Sequence, residues 1–223
     1  IKGTKAYVFC MIALYAGLRR EEILGLQWDC VCLDEPPHIS VRRALRFEHN
    51  RPVVTEKLKT RASKRTVSIP HQLVECLKEH KASSSSDYVI CNSTGGPLSG
   101  TQFKGLWNAV ACRKVGTRTS VKYVNGEKIT RTIEALKGEK ARGNSHYYLI
   151  DFDVTPHILR HTYITNLLLA GVDIKTVQYL AGHEQSRITL DIYAHLTYNR
   201  PEDILPKILM AFGSDEKGGL SNG

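Results

Sequence analysis

The sequence has no apolar run long enough to cross a bilayer, and no signal-peptide pattern opens it. Its six cysteines lack the spacing of a zinc site or of a disulfide framework, so we expect reduced, mostly buried thiols in a cytoplasmic protein. A redox role for Cys30 and Cys32 is the less favoured alternative. A cluster of carboxylates is also lacking, which argues against hydrolysis by two metal ions, and we expect neither metal nor cofactor.

Positive charge is in excess over the whole chain. Of the 223 residues, 31 are lysine or arginine and 22 are aspartate or glutamate, which gives a net charge of +9. This length is enough for one domain with a sizeable core. The basic balance is compatible with a solvated surface, but it also favours a nucleic-acid partner if a phosphate-binding constellation accompanies it.

Such a constellation begins at residue 155. Thr155 is a good N-cap and Pro156 a good first helical residue, so the sequence predicts a helix that starts there and stops at Gly171. His157 and Arg160 are three residues apart and therefore share one face of its first turn. A helix N-terminus next to an arginine is well suited to bind an anion.

Two shorter helices are predicted to follow. Asp173 caps a helix over residues 174–181, and Gly182 ends it and places His183 at the bend. Ser186 then caps a third helix that carries Tyr193 near its end. Three apolar residues of this last helix are expected to face the core, namely Ile188, Ile192 and Leu196.

Four motifs with chemistry-bearing residues occur along the chain in a fixed order. They are Ala16-Gly17-Leu18-Arg19-Arg20-Glu21-Glu22, His157-x-x-Arg160-His161-Thr162, Ala181-Gly182-His183 and Ile192-Tyr193. This ordered set resembles the catalytic signature of the tyrosine recombinases of the phage-integrase type. The arrangement is similar in particular to integrases of conjugative transposons. Four motifs in order are far more specific than one of them alone.

The resemblance implies a role for each polar residue of these motifs. Arg19 and Arg160 bind the scissile phosphate, and His183 donates a further hydrogen bond to it. His157 assists proton movement at the oxygen of Tyr193, which is the nucleophile. Glu22 is expected to brace the Arg19 segment from behind, and His161 to give structural support.

A change to period-two alternation predicts a small three-stranded antiparallel sheet. Residues 38–47 and 52–58 are predicted to pair around a turn at residues 48–51, with residues 65–69 as the third strand. Lys59 lies between the last two strands in the pattern K-T-x-x-S-x-R-x-V. By resemblance Lys59 protonates the departing 5′ oxygen, for which a mobile ammonium is suited.

The remaining segments are mostly helical in pattern, with one exception. Residues 1–18, 20–27, 72–80 and 101–115 have helical periodicity, and Trp107 is expected in the core. Residues 113–143 form a basic insertion, with nine basic residues against three acidic ones. Within it, two alternating stretches flank Asn125-Gly126, which predicts a β-hairpin. The predicted fold is therefore mainly helical α+β, with a small sheet and an inserted hairpin.

The resemblance also predicts organisation and partners. Residues 1–200 are expected to be the catalytic domain, and residues 201–223 a C-terminal helix exchanged between subunits and a disordered tail. The N-terminal core-binding domain of such proteins is not expected within residues 1–223. Expected partners are specific sites in double-stranded DNA, further copies of the chain in a tetramer, and an accessory DNA-bending or excision protein.

Two other functions stay open at this point. A type IB topoisomerase has related chemistry but relaxes supercoils alone, without joining two sites. A non-catalytic helix-turn-helix module would use the helices around Gly171 and Asp173 to bind DNA, and it would need no Tyr193. The short separation between His183 and Tyr193 favours the recombinase.

Overall fold

A computed structural model describes residues 2–58, 60–114, 118–133, 146–148, 154–196 and 209. Within these ranges the helices are α1 Lys5–Tyr15, α2 Arg20–Leu24, α3 His71–Ala82, α4 Gly100–Ala111, α5 Pro156–Leu169, α6 Ile174–Ala181 and α7 Ser186–Leu196. None of these helices is long and apolar enough to span a membrane. The predicted mainly helical α+β class is confirmed.

The strands form four small antiparallel sheets among the described residues. They are β1 Val31–Cys32, β2 His38–Val41, β3 Ala44–Glu48, β4 Arg51–Thr55, β5 Arg65–Ser68, β6 Cys112–Lys114, β7 Arg118–Val124, β8 Glu127–Ile133 and β9 His146–Tyr148. One sheet has three strands in the order β1-β2-β5. The others are the pairs β3-β4, β6-β9 and β7-β8.

The three-stranded sheet was predicted with the wrong strands. The single strand predicted over residues 38–47 is broken after Val41, and its two halves join different sheets. Arg43 lies at the break, where its guanidinium binds Asp29 at 2.7 Å and Glu56 at 3.2 Å. Continued alternation would have turned this charged side chain toward the core, at the cost of its solvation. The helix predicted over residues 101–115 is likewise too long, because β6 begins at residue 112.

The core surrounds α1, whose Phe9 and Ile12 are fully buried. This helix packs against α3, α4 and α5. Trp107 of α4, predicted in the core, is partly buried and packs against it, with 5.7 Å between its ring centroid and that of Phe9. Because α1 is covered on several sides, the segment that follows it is held firmly, and that segment contains Arg19.

The predicted starts of α5 and α6 are confirmed, whereas Ser186, predicted as the cap of the third helix, is the first residue of α7. The Thr155 side chain accepts from the Ile158 N–H at 3.1 Å, and Asp173 accepts from Thr176 N–H at 3.0 Å. Gly182 ends α6 with a φ of 63°, in the left-handed region that glycine tolerates best.

One prediction for α7 is wrong. Ile188 is 46% exposed rather than packed inward, whereas Thr189 is fully buried and Ile192 packs against the core. The side chain of Leu196 lies outside the described residues. The inner face of α7 is therefore rotated by about one residue from the predicted one, and it places a hydroxyl group in the interior.

The predicted hairpin in the basic insertion is confirmed. Strands β7 and β8 pair in register through Val124 and Glu127, and the turn residues Asn125 and Gly126 have φ values of 53° and 83°. The other parts of the insertion at 115–117 and 134–143 lie outside the described residues, as do 201–223 except residue 209. Five cysteines are free thiols, and three of them are buried, namely Cys30, Cys76 and Cys91; the other two are Cys10 and Cys32.

Candidate active site

The C-terminal end of α6 is where the site is assembled. The carbonyl groups at a helix C-terminus lack partners within the helix and carry the negative end of its dipole. Three arginines donate to three consecutive carbonyls there. The pairs are Arg65 Nε with Leu180 O at 2.7 Å, Arg160 Nη2 with Ala181 O, and Arg19 Nη2 with Gly182 O at 2.7 Å. Since His183 follows directly, the predicted residues Arg19, Arg160 and His183 converge.

A single buried carboxylate, Glu22, joins two of these arginines. Its two oxygens accept from Arg65 Nη1 and Nη2, both at 2.9 Å, in a bidentate pair. They also accept from Arg19 Nη1 at 2.9 Å and from the Arg19 backbone N–H at 2.8 Å. Although burial by itself raises the pKa of Glu22, the hydrogen bonds and charge of Arg65, with the charges of Arg19 and Arg160, hold it at about 2.

Arg160 lies beneath this arrangement and is 3% exposed. Besides Ala181 O, its guanidinium donates to Gly17 O, so it joins the end of α1 to the end of α6. Burial, and then the charge of Arg19, lower the pKa of Arg160 to about 9. Three guanidinium groups thus surround one carboxylate, and this excess of positive charge favours a bound anion.

His183 is buried beside the arginines, with 8% of its surface exposed. Its Nδ1 lies 3.0 Å from the hydroxyl oxygen of Thr189 on α7. Burial and the charges of Arg160 and Arg19 lower the pKa of His183 to about 4. At neutral pH the imidazole is therefore uncharged, with one N–H to donate and one nitrogen to accept.

A cavity of about 500 Å³ opens above these groups. Its lining includes Arg19, Glu22 and His183, together with Arg46 of the β3-β4 ribbon. Leu58, Thr60 and Ser63 line its other side, and Ile188 of α7 completes it. Lys59, a predicted site residue, lies outside the described residues. Arg19 and Arg46 line this cavity but buried Arg160 does not, so an anion in it would meet these two guanidinium groups and His183.

The two other predicted site residues lie elsewhere on the surface. His157 is exposed on the first turn of α5, and its Nε2 is 2.7 Å from Nε2 of His161, so one ring donates and the other accepts. Tyr193 is 37% exposed on α7. Among the described residues that line the cavity, neither His157 nor Tyr193 is present.

Arg65 and Thr189 are site residues that sequence reasoning missed. Arg65 was part of the K-T-x-x-S-x-R-x-V pattern, yet no role was assigned to it. The available signal was alternation, since Arg65 has the same parity as buried Val67 and Ile69. An arginine on the inner side of a strand requires a buried acceptor. For Thr189 the signal was its spacing of six residues from His183.

Stability is expected to fall in two steps as the pH is lowered. The pKa of His183 is about 4 in the folded chain against 6.5 ordinarily. The contribution of uncharged His183 to the free energy of unfolding is therefore lost as the pH falls from 6.5 to 4. The pKa of Glu22 is about 2 against 4.5, so its contribution is present above 4.5 and lost as the pH falls toward 2. Urea unfolding between pH 7 and 3 measures both steps. In His183→Gln the upper step should shrink and the lower one remain; an unchanged upper step would contradict the assignment.

Comparison with known proteins defines the class of this fold and site. Residues 2–200 match the model of the phage integrase family. This match covers most of the chain, and the chain therefore belongs to the phage integrase family.

Individual relatives agree with this membership. The chain is 29% identical over 204 residues to a XerC-like tyrosine recombinase of Caldanaerobacter subterraneus subsp. tengcongensis, covering 88% of this chain and 47% of that protein. It is 27% identical over 206 residues to the ICEBs1 integrase of Bacillus subtilis, covering 90% of this chain and 47% of that protein. The fold matches that of the Tn1549 transposon integrase in complex with transposon right end DNA, with a TM-score of 0.62 and 20% sequence identity. The match covers 92% of this chain and 58% of that chain. The chain thus spans about half the length of these sequence relatives.

Proposed function

We propose that this chain is the catalytic domain of a site-specific DNA recombinase that moves a mobile genetic element through a 3′-phosphotyrosine intermediate. The observation that carries the proposal is the convergence of Arg19, Arg160 and His183 on residues 181–183, beside a cavity that Arg19 and His183 line. The integrase of B. subtilis and the Tn1549 complex with DNA support it.

The charge of the site suits the cleavage of a phosphodiester. Attack on phosphorus passes through a five-coordinate state with additional negative charge on the non-bridging oxygens. Arg19 and Arg160 are proposed to bind these oxygens, because preorganised cations stabilise charge where it develops. Only two of the five N–H groups of Arg19 are engaged by Glu22 and Gly182. Uncharged His183 donates one further hydrogen bond.

Tyr193 is proposed as the nucleophile. Its phenolic oxygen forms the bond to phosphorus while the bond from phosphorus to the 5′ oxygen breaks. His157 takes part in removing the phenolic proton, and Lys59 gives a proton to the departing 5′ oxygen. Neither His157 nor Tyr193 lines the described cavity, so their side chains are proposed to turn toward it when DNA binds.

Rejoining reverses the same step with a different strand. A 5′-hydroxyl attacks the phosphotyrosyl phosphorus, and the tyrosine oxygen leaves with a proton. One phosphate ester replaces another in each half-reaction, so the bond energy is retained throughout.

A mode of assembly is also proposed, on the grounds of the resemblance to tyrosine recombinases. Residues 1–200 form the catalytic domain and residues 201–223 dock on a neighbouring copy, in a tetramer on paired duplex sites. The whole protein works on cytoplasmic DNA together with an accessory DNA-bending or excision protein. Binding should weaken steeply with salt, because counterions are released from the phosphates.

The test is covalent capture on nicked DNA. The full-length protein is incubated with nicked duplexes that tile the DNA flanking its gene, and adducts are resolved on a denaturing gel. The wild type should give a covalent band and Tyr193→Phe none. Tyr179→Phe, which removes from the surface a hydroxyl that accepts from the Thr66 N–H at 3.2 Å, should give a normal band. Binding without any adduct would indicate the helix-turn-helix module instead. Relaxation of a supercoiled plasmid that lacks a second site would indicate the topoisomerase.

A further inference from the structure

Arg65 is fully enclosed at this site, with none of its side-chain surface exposed. Its guanidinium makes four hydrogen bonds in different directions. They run from Nε to Leu180 O at 2.7 Å, from Nη1 to Ser63 O at 3.0 Å and Glu22 Oε1 at 2.9 Å, and from Nη2 to Glu22 Oε2 at 2.9 Å. Being enclosed in this way, the side chain cannot touch a DNA strand.

These four bonds connect three segments that are far apart in sequence. Glu22 leads to Arg19, Leu180 is three residues before His183, and Ser63 lies in the loop that also contains position 59. Arg65 is separated from Glu22 by 43 residues and from Leu180 by 115. A planar group with fixed donor directions therefore sets the spacing between three parts of the site.

The packing around Arg65 leaves little room for another arrangement. A side chain at Gly182 would place its Cβ 2.8 Å from Arg65 Nη1 and 3.2 Å from Ala62 O. The end of α6 and the loop before β5 thus close directly over the guanidinium. A lysine would keep the charge but lose the bidentate contact with Glu22.

We propose that Arg65 is a positioning residue for strand cleavage. It holds Arg19, the end of α6 at His183 and the loop at residues 60–63 in one geometry through Glu22, Leu180 and Ser63. This inference rests on the proposed function. Arg65 acts through its neighbours and does not contact the substrate.

The role has a consequence for the pH dependence of cleavage. Glu22 is faced by Arg19 at the start of α2, by Arg65 on β5 and by Arg160 on α5. Burial raises the pKa of Glu22, and Arg65 supplies the largest share of the attraction that lowers it. Without Arg65, burial raises the pKa of Glu22, and protonation then releases Arg19 from its carboxylate. The pH at which this happens moves toward neutrality.

The experiment compares Arg65→Met and Arg65→Lys with the wild type. Arg43→Met is the control, because Arg43 also binds carboxylates near the three-stranded sheet but lies outside the cavity lining. Single-turnover cleavage of nicked DNA should fall about 10²-fold in Arg65→Met, as expected for a misplaced catalytic group. The affinity of Arg65→Met for DNA should be the same as that of the wild type. Arg65→Met should gain an acidic limb in its pH profile that Arg65→Lys lacks, since lysine preserves the charge.

A second measurement separates this inference from the proposed function. In the Arg65→Met variant, the NMR signal of the Arg19 Nε–H should shift as Glu22 titrates. If the wild type cleaves no DNA but this signal shifts, the proposed function is wrong and the positioning of Arg19 stands. An unchanged Arg19 signal, or a cleavage rate and pH profile like those of the wild type, would overturn the role of Arg65. The role of Arg65 would also be overturned if the loss of cleavage rate only followed the fraction of unfolded protein, measured by urea unfolding.

Discussion

Replacement of Glu22 by Gln is expected to lower the free energy of unfolding by about 3 kcal/mol or more, the usual effect of removing one partner of a buried ion pair. Glutamine has nearly the same shape, so the change isolates the charge. Both carboxylate oxygens accept from Arg65, and Arg19 donates to them from its side chain and its backbone. Without the charge, the guanidinium of Arg65 is left in the interior with no counterion.

The adjacent residue provides the control for this prediction. Glu21 is on the same helix, but its side chain is 38% exposed and is paired with Arg20 on the surface. Glu21→Gln should therefore change the free energy of unfolding by no more than about 1 kcal/mol. Urea unfolding at pH 7 measures both variants. Equal losses in the two would mean that the buried network contributes no more to stability than a surface pair.

The two partners of the buried pair should not be equivalent. In Arg65→Met, Glu22 can lose its charge by taking up a proton, which limits the cost of the change. In Glu22→Gln, the guanidinium of Arg65 has no carboxylate left to pair with, so the cost of a buried unpaired charge remains. The network therefore depends more on its one carboxylate than on either arginine that shares it.

Local signals explain which parts could be predicted from the sequence. Caps at Thr155 and Asp173 and the glycine at 182 act within a few residues, so the boundaries of α5 and α6 followed from them. The Asn125-Gly126 hairpin followed from the same kind of local chemistry. The convergence of Arg19 and Arg160 was implied by the family resemblance and not by any local rule.

Long-range partners explain what could not be predicted. The break near Arg43 depends on Asp29 and Glu56, and neither is marked in the sequence as its partner. The same holds for Arg65, whose partners lie 43 and 115 residues away. The rotation of α7 that exposes Ile188 and buries Thr189 depends on the position of His183. Periodicity alone gives a helix its apolar side only to within about one residue.

Replacement of Gly17 by Ala is expected to lower the free energy of unfolding by about 2–5 kcal/mol, from left-handed backbone strain together with overpacking. Gly17 has a φ of 61°, and a Cβ there would lie 2.1 Å from Cδ1 of the Tyr163 ring. That ring is 8% exposed and one turn beyond Arg160, so it has little space to move. The displacement should also disturb the carbonyl of Gly17, which accepts from Arg160, and cleavage should fall with stability.

The variant Gly171→Ala is the control that distinguishes backbone strain from overpacking in Gly17→Ala. Gly171 has a φ of 81°, but a Cβ there would meet nothing within 4 Å. Gly171→Ala should therefore lose only the cost of the left-handed backbone, about 1–2 kcal/mol. Urea unfolding of both variants gives the difference, which measures the contact with Tyr163. If the two variants lose the same amount, the Tyr163 ring yields freely, and the close approach between α1 and α5 does not hold Arg160 in place.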